Sequence, residues 1–310
     1  MVTERDRQKK QEKFVLDTES KGRHEVILSD IGLRKLQKKS LEILLVFKEF
    51  CDRHNLLFYF CGGCCIGTLR HGGFIPWDDD IDVFMPRDDY EKLGPLWEAE
   101  MSNTQYRYQR DHEKLFLRSL LTAISDEETT FIKERQADLD ISHGIRLEIL
   151  PLDGCPTGFR RKKQIFWALV HQILMNQEPL TSKGKLFELP SRLLLLLFPT
   201  WKRRYRMAKR AQRNMSKYRI EDCDKITELC SRWQYMVNEY PKEAFTSAVY
   251  KKFEGYDMPL PVGYDTYLHM AFGEYMELPP KEGQVPKHDA VVIDTEKSYK
   301  EYKEYYHAYK

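Results

Sequence analysis

The run "WDDDIDVFM", Trp77 to Met85, sets Asp78, Asp79, Asp80 and Asp82 directly ahead of an apolar segment. Like charges at that spacing repel, so the arrangement costs stability unless a cation or solvent offsets it. Ile81, Val83 and Met85 alternate with their neighbours, which is the period of a half-buried strand. If residues 77–85 are extended, Asp78, Asp80 and Asp82 share one face, the apolar residues take the core face, and Asp79 turns away from its fellow acids. Converging carboxylates suit a hard divalent cation such as Mg²⁺, which takes one or two carboxylates together with substrate phosphates. A calcium loop of the EF-hand kind would need glycine at 83 and glutamate at 89, where this chain has Val83 and Asp89. A solvated acidic turn is the plain alternative, and it leaves the flanking glycines and the apolar strand unexplained.

Those glycines supply a complement. "LFYFC", Leu57 to Cys61, reads as a short buried strand, and Gly62-Gly63 breaks it ahead of a short helix over Cys64–Arg70. A glycine pair there lets backbone N–H groups approach an anion closely, and the helix dipole favours phosphate at that point. A strand, a Gly-Gly turn, a helix and then a second strand bearing Asp-x-Asp is the layout of a phosphoryl- or nucleotidyl-transfer site, where positioning and metal electrostatics do most of the chemistry.

The 310 residues allow a core domain with a helical annex, and the 42% hydrophobic content is enough to fill a core. Fifty basic and 48 acidic residues nearly cancel, so net charge says little about partners. Residues 1–28 form a charged leader with no apolar h-region. With seven cysteines, an odd number, the expectation is free thiols in a reducing cytoplasm. "CGGCC" lacks a partner pair at zinc-ligand spacing. From Ser29 or Asp30, apolar residues recur at helical steps to His54-Asn55, and Pro86 opens a helix to about Met101. Residues 105–133 read as a β-meander, Ile145 to Gly154 as a strand, and the chain beyond 158 as mainly helical. "YDMPLPVGYD" reads as loop. The sum is a mixed α/β or α+β arrangement: a core over 29–157, a helical insertion over 158–250, and a block over 251–310 that completes the core and ends in a tyrosine-rich tail helix.

"CGGCCIGTLRHGGFIPWDDDIDVFMPRDDYEKL" closely resembles the signature of the LicD family of phosphocholine transferases, related to fukutin and fukutin-related protein. The likeness is dense over residues 56–93 and continues more thinly through "TAISDEETTFI", "IRLEILPLDG" and "YLHMAFGEYMELPP". It implies the DNA polymerase β-like nucleotidyltransferase fold, a mixed sheet flanked by helices. It further implies an anion turn at Gly62-Gly63, metal carboxylates at Asp80 and Asp82, and a third acid on a later strand. That third position, usually aspartate in the family, is Glu148 here. Strand parity sets Arg146, Glu148 and Leu150 opposite Ile145, Leu147 and Ile149, so Glu148 faces the site without disturbing the core. A glutamate paired with a neighbouring arginine is the plainer alternative. Asp153 is expected to form a turn at the strand's end.

Asp78 is an additional candidate metal or water ligand. Arg70 and His71 lie between the anion turn and the acids, where Arg70 either meets a phosphate or clamps the acidic loop. Trp77 packs under the loop or holds a cationic head group. Tyr264, Tyr267, Phe272 and Tyr275 offer an aromatic wall for a trimethylammonium group, and Lys287 and His288 are candidates for phosphate contact or proton transfer. The resemblance implies Mg²⁺ or Mn²⁺ as cofactor, a CDP-choline or related CDP-linked donor, and a glycan or glycolipid acceptor, with no nucleic acid. "WKRRYRMAKRAQRNMSKYR", Trp201 to Arg219, carries nine basic residues and no acid, and follows the apolar "LLLLLF". It reads as an interfacial helix drawn to anionic lipid, equally as a contact for a polyanionic glycan or nucleic acid, or as an ordinary solvated helix. The expected location is the cytoplasm, with peripheral contact at the inner face of the plasma membrane. Two other functions stay open: transfer of a nucleoside monophosphate to a hydroxyl, and non-catalytic binding of glycan or membrane.

Overall fold

The computed structural model describes residues 30–180, 185–286 and 290–303. The leader 1–28, Lys287, His288 and most of the tyrosine-rich tail lie outside the described residues. The architecture is mixed α/β, with eleven strands and eight α-helices among the described residues.

Helix α1 (Asp30–His54) follows the periodicity of its sequence. It buries Leu33, Leu36, Ser40, Ile43, Leu44, Phe47, Phe50 and Cys51. Asn55 adopts φ 52°, the left-handed conformation that commonly follows a helix, and stops it. Strand β1 (Tyr59–Phe60) leads straight into α2 (Gly62–His71), so the helix starts at the glycine pair and not at Cys64. Strand β2 is Asp82–Pro86, shorter than the extended 77–85 expected, because Ile75 to Asp78 fold into a turn closed by Asp78 N–H donating to Ile75 O at 2.9 Å. Helix α3 (Arg87–Met101) follows at once.

A seven-stranded sheet is built around β6 (Ile145–Cys155). β2 runs parallel to β6, with Asp82 opposite Glu148. On the other side β6 meets antiparallel β4 (Thr122–Asp126) along its first half and antiparallel β7 (Lys225–Glu228) along its second. β3 (Tyr106–Gln109) extends the sheet beyond β4, and β8 (Tyr240–Pro241) extends it beyond β7. The expected meander is broken. β5 (Thr130–Lys133) leaves this sheet and pairs with β11 (Ala290–Asp294).

Asp153 corrects a turn expectation. It lies inside β6, fully buried, and its two oxygens accept from Arg87 Nε and Nη2 at 2.8 and 2.7 Å. This buried ion pair fixes the first turn of α3 to the hub strand. Breaking it would strand a charge in the interior, at a cost of about 3–5 kcal/mol.

Helices α4 (Gly158–Asn176), α5 (Lys185–Leu197) and α6 (Trp201–Met215) form the annex, held by small clusters around Val170, Leu174, Ala208 and Ala211. The chain then returns to the sheet at β7, passes through a short α7 (Trp233–Met236), and forms a hairpin of β9 (Ala248–Phe253) and β10 (Tyr256–Pro261). "YDMPLP" is therefore strand and not loop. β10 pairs only with β9, so the missing N–H groups of Pro259 and Pro261 fall where an edge tolerates them. Helix α8 (Tyr264–Phe272) packs beneath α2.

Candidate active site

The site forms where β1, α2, β2 and β6 meet. Cys61 N–H donates to Asp82 O at 3.4 Å, which places the glycine turn beside the first residue of β2. Gly62 adopts φ 47°, a conformation that other L residues rarely adopt, and its N–H donates to the Tyr267 hydroxyl at 3.0 Å. At Gly63, a Cβ would fall 2.0 Å from Asp78 Oδ2. The glycine is there because a carboxylate rests on it, at the positive end of the α2 dipole.

The acid loop departs from its expected geometry. Asp79, expected to face away, is buried, and carboxylate oxygens of Asp78, Asp79 and Asp80 lie within 4.8 Å of one another. A turn ahead of these three residues replaces strand alternation and gathers them. Asp82 and Glu148 come alongside through the β2–β6 register. Asp82 Oδ1 is buried and has no hydrogen-bond partner.

The electrostatics follow from crowding. Burial, then Asp79 and Glu148, push the Asp80 carboxyl up to about 7, although its side chain is open to solvent at the mouth of the site. Burial, then Asp80, Glu148 and Asp78, raise Asp82 well above the carboxylate range. For Glu148 burial pushes the same way, but Lys133 and Arg146 outweigh it and hold the group below its ordinary value. Lys133 Nζ donates to Glu148 Oε1 at 3.0 Å, and its charge also reaches Asp80 and Asp82. Sequence reasoning missed Lys133. It sits on β5, a strand that reaches the site only through tertiary folding, and one lysine among many gives no local signal.

An oxygen-only donor set with an orphaned buried carboxylate oxygen fits a hard divalent cation. Asp78, Asp79, Asp80, Asp82 and Glu148 are the residues that could hold it. The crowded thiols do not compete: Cys61, Cys64 and Cys65 are free and packed into the core.

Arg70 is engaged with the backbone. Its Nη1 donates to the carbonyls of Tyr275 and Glu277, both at 2.9 Å, and so ties α2 to the segment after α8. His71 is exposed and meets Trp77 edge-on at 6.3 Å, while Trp77 packs partly against the core. The aromatic wall is mostly dismantled. Tyr267 is buried in the core, Tyr275 is buried with its hydroxyl on Asp265 at 2.8 Å, and Tyr264 is half-buried. Phe272 alone of the four stays exposed, with its ring tip 4.0 Å from where a Gly62 Cβ would lie. Its partner is Tyr235, 5.4 Å away between ring centres, a residue the sequence did not single out.

The acid loop is braced from outside the motif. Glu254, at the tip of the β9–β10 hairpin, pairs with Arg34 of α1 and accepts from Phe74 N–H at 3.2 Å. Gln37 Nε2 donates to Asp78 O at 2.9 Å. An open groove of about 690 Å³ lies away from the acids, between α3 and α6, lined by Arg87, Glu91, Arg206, Lys209 and Arg213.

Residues 55–138 match the family described as "LicD/FKTN/FKRP, nucleotidyltransferase domain". The chain is 32% identical over 271 residues to the lipopolysaccharide cholinephosphotransferase LicD of Haemophilus influenzae, covering 84% of this chain and 97% of that protein. An uncharacterized protein of Rickettsia typhi is 27% identical over 101 residues, 30% of this chain and 31% of its own. One from Rickettsia prowazekii is 33% identical over 70 residues, 21% and 26% of the two chains. Likeness to the Haemophilus protein over nearly its whole length, joined to the matched motif, shows that this chain belongs to the LicD family.

Proposed function

We propose that the protein transfers phosphocholine from a CDP-activated donor to a hydroxyl of a glycan or glycolipid, in a site of the DNA polymerase β-like nucleotidyltransferase kind. In this reading the core domain is completed by the C-terminal block, with α4–α6 as an insertion. The observation that carries the proposal is the pairing of Asp82 with Glu148 on adjacent parallel strands, beside Asp80 and under Lys133, in a LicD-family chain.

The acids would hold Mg²⁺ or Mn²⁺, which supplies charge neutralisation on a bound diphosphate. Lys133 adds a fixed positive charge on the same side. Glu148, kept ionised by Lys133, orients the acceptor hydroxyl. The hydroxyl oxygen attacks the phosphorus that bears choline, the bond from that phosphorus to the bridging oxygen breaks, and CMP leaves. The hydroxyl proton passes to Glu148. A weak base suffices there, because the transition state of phosphoryl transfer is loose and positioning matters more than proton abstraction. Phe272, whose ring tip lies beside Gly62, and Tyr235 next to it offer aromatic rings suited to a trimethylammonium group.

The description of the matched family as a nucleotidyltransferase domain favours a second reading, transfer of CMP itself to the hydroxyl. One experiment separates the two. The protein is incubated with CDP-choline, Mg²⁺ and a lipopolysaccharide-derived acceptor, and the product is weighed. Acceptor plus phosphocholine with CMP released supports the proposal, and acceptor plus CMP supports the second reading. No turnover with CDP-choline, CDP-ethanolamine or a CDP-polyol, with acceptor present, removes both.

A further inference from the structure

Helix α5 is apolar on both its sides. Ser191, Leu194, Leu195 and Phe198 turn toward the annex and are buried or half-buried. Leu189, Leu193, Leu196 and Leu197 turn outward, exposed by 73%, 57%, 75% and 63%. Their spacing of four, seven and eight residues makes one continuous stripe, on the face where a water-facing helix would carry charge. Beside this stripe the described part of α5 offers only the Arg192–Glu188 pair. On α4, Phe159 and Phe166 are likewise exposed, by 70% and 56%, among the exposed cations Arg160, Lys162 and Lys163.

The chain then turns at Pro199-Thr200 into α6, so Lys202 and Arg203 follow within a few residues of Leu196 and Leu197. Lys202, Arg203, Arg206, Arg210 and Arg213 are exposed, and residues 201–219 contain no acid. An apolar stripe bordered by these cations, of which Lys202 pairs with Glu113 at 3.3 Å, has a definite complement. We propose that α5, with the exposed side of α6 and the start of α4, docks on the surface of an anionic lipid bilayer. The leucines enter the boundary between head groups and acyl chains while the cations meet lipid phosphates.

A second copy of this chain fits the face poorly. A two-fold contact would set α6 against α6 or close to it and bring like charges together. A spanning role is excluded for α5 by its 13 residues, and no helix among the described residues is long and apolar enough to cross a membrane. The helix lies along the surface.

The test is flotation of the full-length protein with phosphatidylcholine vesicles, with or without phosphatidylglycerol, at low and high salt. Expected is a preference for the phosphatidylglycerol vesicles of about tenfold or more at low salt, lost at high salt. Leu193→Gln/Leu196→Gln should cut binding about tenfold, since each buried leucine contributes to the partitioning. Arg203→Gln/Arg206→Gln should remove the preference for anionic lipid. CMP release with a short water-soluble acceptor should stay unchanged in both variants, which also reports that they fold. Equal, weak flotation of the wild type with both vesicles would overturn the proposal. So would wild-type flotation of the leucine variant, or a stable dimer in solution that the leucine variant dissolves.

Discussion

Along β2 and β6 the register that sets Asp82 beside Glu148 at one end sets Pro86 beside Leu152 at the other, one residue short of the Arg87–Asp153 pair. The same two strands therefore carry carboxylates at both ends. At the far end a guanidinium meets both oxygens of Asp153, and the charge is balanced within the protein. At the near end five acids gather, Lys133 reaches three of them, Asp80, Asp82 and Glu148, and an oxygen of Asp82 has no partner. The balanced end serves stability. The unbalanced end keeps a deficit of positive charge, which a ligand can supply.

The contrast is sharpest where one isosteric change is made at each end. Asp82→Asn should lower transfer by about 10³-fold or more, roughly 4 kcal/mol of barrier, while leaving the metal-free protein as stable as before or more so. Turnover and a thermal melt on the same preparation check both parts. Asp153→Asn should do the reverse. It leaves Arg87 with Glu91, at 3.2 Å, as its remaining acid partner and lowers stability by about 3 kcal/mol, read by urea unfolding, with turnover largely kept at low temperature. Should both variants fall along the same axis, the division between the two ends fails.

Mn²⁺ provides a third measurement. At about 100 times its dissociation constant it should add roughly 2.7 kcal/mol to wild-type stability. Asp82→Asn should lose most of that gain and Asp153→Asn should keep it. Gly63→Ala drives a methyl into the Asp78 carboxylate and should cost about 1–3 kcal/mol, with a weaker Mn²⁺ response than wild type. The smallest effect is on pH dependence. The Asp80 carboxyl, pushed up to about 7, keeps its proton in the folded chain after the unfolded chain has lost it. Its contribution to the stability of the metal-free protein should therefore decline as pH rises from roughly 4 toward neutrality, in the same direction as that of the raised Asp82 carboxyl. Asp80→Asn should make the decline between about pH 4 and 7 shallower in a series of unfolding curves.

The fold was legible wherever periodicity is a local property. The stripe from Leu33 to Cys51 announced α1, and Ile145 to Gly154 announced β6 with Glu148 on the polar face. The order of elements around the acids was legible too, because glycine pairs and aspartates leave a dense signal. What stayed hidden depends on distant partners. Asp153 reads as a turn residue until Arg87 is found beside it. Two prolines make "YDMPLP" read as loop, though an edge position admits them. Strand parity misplaced Asp79, because nothing local says that the chain turns at Ile75–Asp78. Tyr235 reaches the site from a segment with no motif of its own, and Lys133 lies one residue past the "TAISDEETTFI" likeness, where nothing marks it.

The brace on the acid loop bears on how the protein is made. Glu254 grips Arg34 and the backbone of Phe74, Tyr267 receives the Gly62 N–H, and the carbonyls of Tyr275 and Glu277 hold Arg70. All of these anchors are synthesised long after the motif they secure. A nascent chain halted before residue 254 contains every acid of the loop and Gln37, which holds the Asp78 carbonyl, but none of these later anchors. The acid loop gains these braces only after the far end of the chain is made, so a chain cut short before residue 254 should hold the whole signature with its acid loop less firmly held.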